Sequence, residues 1–112
     1  MECIFCKIAN REVPAEIVYE DENVIAFLDI SPAAKGHTLV VPKEHFEDLT
    51  NVPEEIVSKV IRVVKRVTKA LKSFNDGVNV LQNNGKAAGP VSYTHLRAHE
   101  TSLHLVCRLL LE

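Results

Sequence analysis

An α+β fold built on an antiparallel sheet is the prediction, and three observations carry it. Short strand-like runs recur at 15–20, 23–30, 37–41 and 78–82, each bounded by polar or Pro/Gly punctuation. A single long segment repeats apolar residues at three- and four-residue steps, the period of a helix. The first two runs are joined by Glu20-Asp21-Glu22-Asn23, a connection short and polar enough for a hairpin.

Residues 3–10 read as a short helical turn with Ile4, Phe5 and Ile8 on one side. The two hairpin strands follow. Ser31-Pro32-Ala33-Ala34-Lys35-Gly36 is a loop, and the third strand at 37–41 is closed by Pro42. Asn51 is the expected N-cap of the long helix, with Glu54 three residues later as in a capping box and Pro53 in the first turn. Ile56, Val60, Val63, Val64, Val67, Leu71 and Phe74 make its apolar stripe. Lys69 and Lys72 near its end complement the helix dipole, and Asn75-Asp76-Gly77 stops it. The basic residues Lys59, Arg62, Lys65, Arg66 and Lys69 read as a solvated face rather than a nucleic-acid patch. The run at 78–82 alternates like a strand and leads into the Gly-punctuated loop Asn83-Asn84-Gly85-Lys86-Ala87-Ala88-Gly89.

A chain of 112 residues is one domain, able to bury about two-thirds of its unfolded surface. A net charge of −2 argues against non-specific nucleic-acid binding and against a polybasic membrane patch. No segment has the roughly 18 apolar residues that a bilayer span needs, and the N-terminus carries charge where a secretory segment would be apolar. The expectation is a cytoplasmic protein with neither a nucleic-acid nor a membrane partner. The three cysteines, Cys3, Cys6 and Cys107, are an odd count, poor support for a disulfide framework. Cys3-Ile4-Phe5-Cys6 is a CxxC that can be half of a zinc site, a redox pair or neither. No strand precedes it, unlike thioredoxin-type motifs, and zinc requires further ligands.

The stretch Gly36-His37-Thr38-Leu39-Val40-Val41-Pro42-Lys43-Glu44-His45, together with Phe27-Leu28-Asp29-Ile30-Ser31-Pro32, resembles the histidine-triad (HIT) family. The N-terminal Cys3 to Ile8 block and the loop from Asn83 to Gly89 agree, so the resemblance runs over about residues 2–89. It implies a five-stranded antiparallel sheet with one long and one short helix, paired as a homodimer, with a purine nucleotide or nucleotide conjugate bound on the sheet. By this resemblance Phe5, Ile8, Phe27, Ile30 and Leu39 form the base pocket, which suits a flat ring that gains from apolar contact. Each is also an ordinary core residue type. Asp29 would accept hydrogen bonds from the ribose hydroxyls, or else cap the Ser31-Pro32 turn. Asn83 would lie near the phosphates, and Gly89 would allow their close approach or simply make a turn. His45 matches a zinc ligand beside Cys3 and Cys6, and two thiolates with an imidazole suit Zn²⁺. His37 matches a supporting, hydrogen-bonded histidine.

The resemblance fails after Gly89. The family's defining strand alternates three histidines with apolar residues, which puts the imidazoles on one face. Its middle histidine attacks the α-phosphate and becomes nucleotidylated. In register, this chain has Thr94, Leu96 and Ala98 there, so no catalytic residue is assigned. His95 is one residue off, which on a strand points it to the other face. His99 and His104 do not restore the spacing, and a metal site of His95, His99 and Glu100 is the weaker reading. Pro90 removes an N–H where a central strand would begin. The run 103–111 lacks clear alternation, so the family's last strand has no evident counterpart and a sheet edge would be left open. The tail also resembles a recurrent tail of translated assembled sequences, which implies a frame or assembly junction near codon 90. The expected organisation is therefore a HIT-like domain at 1–89 and a divergent, non-native tail at 90–112. Functionally, the resemblance implies a hydrolase or transferase of purine nucleoside phosphoramidates or dinucleoside polyphosphates, inactive as written. The alternatives are a nucleotide-binding module without catalysis and an interaction protein stabilised by zinc whose fourth ligand is missing.

Overall fold

The structure, a computed structural model, describes residues 3–28, 37–73, 75–82, 84 and 106–111. The short helix α1 spans Ile4–Ala9, and strands β1 and β2 are Ile17–Glu20 and Val24–Leu28. Strand β3 is Thr38–Pro42, the long helix α2 is Glu54–Lys72, and β4 and β5 are Val78–Gln82 and Cys107–Leu111. The strands form one sheet in the order β1-β2-β3-β5-β4, with every neighbouring pair antiparallel. The α+β class and the five-stranded antiparallel sheet are as the sequence predicts.

Strand alternation divides the core into two layers. Val24, Ala26, Val40, Cys107 and Leu109 face α2 and pack against its Val60, Val63, Val64 and Leu71. Ile25, Phe27, Leu39, Val41 and Val106 face the other way and pack against Cys3, Phe5 and Ile8 at α1. Both faces of β2 and β3 are therefore apolar, which is why these strands read as near-continuous hydrophobic runs.

The hairpin turn has a local cause. The Asp21 carboxylate accepts hydrogen bonds from the Asn23 and Val24 amides, both at 2.8 Å, and from the Tyr19 hydroxyl at 2.7 Å. The chain leaves α1 through Arg11, whose φ of 66° is left-handed, and whose guanidinium pairs with Glu20. Glu20 also pairs with Lys43 at 2.6 Å, tying the end of β1 to the residue after β3.

Two expectations need correction. Asn51 is not the cap of α2: it ends a 3-10 turn, Leu49–Asn51, whose own cap is Asp48, and Pro53 precedes α2 without a side-chain cap. The fixed φ of Pro53 presets the helix start instead, with Glu54 and Glu55 in the first turn favouring the dipole. The second correction concerns the tail. Cys107–Leu111 forms β5 between β3 and β4, a position that tolerates any run with apolar residues at alternate sites. Cys107 and Leu109 supply them, at 6% and 0% exposure.

Candidate functional site

The face of the sheet that carries α1 gathers most of the apolar site candidates. Phe27 on β2 and Leu39 on β3 are direct cross-strand partners. Phe5 and Ile8, one helical turn apart on α1, pack onto them in the same buried cluster. The Phe5 and Phe27 rings lie 6.4 Å apart at 35°, inside the range of favourable aromatic contact. Residues 29, 30, 83 and 89, and with them Asp29, Ile30, Asn83 and Gly89, lie outside the described residues, as do Thr94, Leu96 and Ala98 and the histidines at 95, 99 and 104. His37 is buried immediately before β3.

One residue on this face was not singled out from the sequence. Cys107 and Leu109 point to α2, so alternation sends the intervening Arg108 to the α1 face. It lies opposite Leu39 on β3 and Leu81 on β4, and is buried. A row of residues thus crosses the sheet from Ile17 through Phe27, Leu39 and Arg108 to Leu81. A guanidinium cannot act as a nucleophile, since it keeps its proton throughout the accessible pH range, but it is well shaped for phosphate oxygens. Nothing in the sequence marks it, since its face is fixed only once the register of β5 against β3 and β4 is known.

The predicted metal ligands also converge. Cys3 is the residue before α1 and Cys6 lies within it, so the three-residue step puts both thiols on one side. His45, from the segment after β3, brings its Nδ1 to 3.3 Å from the Cys6 Sγ. The ligating atoms of all three residues lie within 4.8 Å of one another, close enough for shared tetrahedral coordination, and soft thiolates with imidazole select Zn²⁺ over Mg²⁺ or Ca²⁺. Burial, with the neighbouring Cys3 thiol, pushes the Cys6 thiol up to about 12. A bound divalent cation would reverse that preference and hold the thiolate.

A family profile described as the HIT domain matches residues 10–101. The chain belongs to the HIT domain family. The HIT match continues past Gly89, into the segment where the triad register is lost. An uncharacterized HIT-like protein of Methanocaldococcus jannaschii is 52% identical over 95 residues, covering 83% of this chain and 74% of the relative. An adenosine 5'-monophosphoramidase of Candida albicans is 42% identical over 103 residues, covering 87% of this chain and 67% of the relative. Among solved HIT structures, a zinc-bound histidine triad family protein from Mycobacterium smegmatis superposes with a TM-score of 0.81 at 37% identity, over 100% of this chain and 76% of that one. No helix among the described residues is long and apolar enough to cross a membrane.

Proposed function

We propose that this chain is a purine-nucleotide-binding HIT protein whose gene encodes a nucleoside phosphoramidate or dinucleoside polyphosphate hydrolase, and that the polypeptide as written binds without turning over. The observation that carries the binding half is the convergence of Phe5, Ile8, Phe27 and Leu39 on one face of the sheet. An adenosine 5'-monophosphoramidase among the relatives supports the substrate class. In the proposed site the apolar cluster holds the base, Asp29 takes the ribose hydroxyls, and Asn83 and Gly89 approach the phosphates. Hydrolysis by the family route needs a histidine that displaces the leaving group and forms a nucleotidyl intermediate, which water then releases as the monophosphate. Thr94, Leu96 and Ala98 hold the triad register, and neither hydroxyl, isobutyl nor methyl side chains can replace an imidazole that attacks and is then displaced. The organisation follows: a HIT-like domain at 1–89 supplies the cleft, and a non-native tail at 90–112 replaces the catalytic strand. Assayed with a fluorogenic adenosine phosphoramidate, the protein gives no turnover above buffer. Hydrolysis at the rate of an intact relative contradicts the reading.

Cys3, Cys6 and His45 are the residues that would hold zinc, and its role there would be structural, tying the start of α1 to the segment after β3. The zinc-bound relative supports this. With Thr94 where the family's fourth ligand stands, binding is weak. Elemental analysis of protein purified without chelator should find zinc below one equivalent per chain, and Cys6→Ser should abolish it; absence of zinc from the parent protein after incubation with the metal removes the idea. Pairing of two copies, the family's arrangement, is supported by β4, which ends the sheet with Val80 half-exposed. A cytoplasmic location fits the odd count of three cysteines, which is poor support for a disulfide framework.

A further inference from the structure

The α2 side of the sheet, opposite the α1 layer, carries a concavity. A cavity of about 340 Å³ opens between the β1–β2 turn and α2, lined by Tyr19, Asp21, Asn23, Lys59, Arg62 and Arg66 among others, with the buried Val63 at its base. Lys59, Arg62 and Arg66 stand at i, i+3 and i+7 of α2, so they form one stripe along the wall.

The opposite wall is built by an irregularity. Ile17 pairs with Phe27, yet Tyr19 pairs with Ala26, so β1 carries a bulge between them. Regular alternation would leave Tyr19 on the same face as Ile17, among the α1 residues. The extra residue re-aims it, and Tyr19 packs with the α2 layer while Ile17 packs with the other. The bulge is what brings the phenol to the wall of the cavity that Arg62 and Arg66 also line.

The charges are arranged to leave the cations available. The Asp21 carboxylate is engaged by the Asn23 amide, the Val24 amide and the Tyr19 hydroxyl. The Lys59 Nζ donates to Asn23 Oδ1 at 2.9 Å, which fixes the ammonium at the wall and leaves two further N–H donors. Among the described residues, neither Arg62 nor Arg66 has a carboxylate within ion-pair distance. Two guanidiniums one turn apart repel each other on a helix, and a shared anion between them relieves that repulsion.

We propose that this cleft binds an oligophosphate group, with Arg62 and Arg66 forking its oxygens and Lys59 closing the third side. Guanidinium pairs match phosphate geometry bidentately, and a multiply charged anion is the ligand that three converging cations select over a carboxylate. The volume lies at the small end of ligand cavities. Asp21 and Glu22 at the rim interrupt the positive stripe, which disfavours an extended polyanion and favours a compact one. Its lining residues lie on the α2 side of the sheet, apart from Phe5, Ile8, Phe27 and Leu39 on the α1 side.

The test is calorimetric titration of the full chain with inorganic pyrophosphate, alone and in saturating AMP. Saturable binding that AMP does not displace is expected, weakened at least about tenfold in the double variant Arg62→Gln, Arg66→Gln, since charge-assisted hydrogen bonds are lost. The control double variant Lys69→Gln, Lys72→Gln removes the same charge from the same helix outside the cleft, and should stay within about twofold of the parent. All four residues are exposed, so folding does not depend on them. A parallel ADP titration separates sources: a second binding event lost in the arginine variant makes a nucleotide's phosphate tail a ligand, and its absence restricts the site to free oligophosphate. Absence of pyrophosphate binding, displacement by AMP, or equal weakening in the lysine control overturns the proposal.

Discussion

Asp21 shows how one side chain sets a local structure. Burial alone would raise its carboxyl, but the Asn23 amide, the Tyr19 hydroxyl and the Val24 amide together hold it below the usual carboxylate value. A depressed folded value means that the charged form stabilises the fold above the unfolded value of about 3.9, and that this contribution fades as pH falls through the folded one. Asp21→Asn keeps the turn geometry and removes the charge. It should cost roughly 0.5 kcal/mol at pH 7, a charge-assisted hydrogen bond discounted because the site is exposed, and less at pH 2, as the carboxyl takes up its proton. Urea denaturation at both pH values measures it, and an equal loss at both contradicts the assignment. At this scale the sequence was informative where chemistry is unusual. Cys3 and Cys6 stood out as a CxxC, the family resemblance added His45, and the structure brings the three together. Arg108 did not stand out, because its placement depends on which strand register the tail adopts, and an Arg between apolar residues has no signature of its own.

Elements were legible in proportion to their periodicity. The stripe from Ile56 to Leu71 in α2 follows the pattern directly, since it buries one defined face, and β2 stood out as an apolar run bounded by polar residues because both of its faces are buried. The start of α2 was misread because Asn51 and Glu54 match a capping box, while Asp48 three residues earlier competes for the same backbone and closes a 3-10 turn, Leu49–Asn51. Strand β5 was missed for a different reason. Its slot is defined by the exposed ladder groups of β3 and β4, which accept a strand whatever its ancestry, and Cys107–Leu111 meets the minimum requirement with two buried residues on the α2 side. This pairing predicts that the Cys107 and Leu109 amides exchange with deuterium as slowly as those of Leu39 and Val40. Exchange at the rate of an unstructured peptide contradicts it and leaves β3 with an open edge.

Over the whole molecule, the two sides of the sheet are given different tasks. The α2 side is a conventional core whose outer rim gathers cations and a re-aimed tyrosine. The α1 side joins an apolar cluster, a buried guanidinium and a cluster of thiols and imidazole within the first 45 residues and β5. Family membership was legible because its blocks are separated along the chain, and the described parts of three of them, Cys3 to Ile8, Phe27 and Leu39, meet on that one face. The proposed loss of activity was read from the sequence alone, since the family's histidines alternate on one strand and Thr94, Leu96 and Ala98 stand in that register here. The proposed function therefore stands on a cleft that would recognise a purine nucleotide without the group that would attack it. Calorimetric titration of the folded chain with AMP tests this most directly. The prediction is saturable heat with one AMP per chain, and no heat from a protein whose far-UV dichroism shows it folded would contradict it.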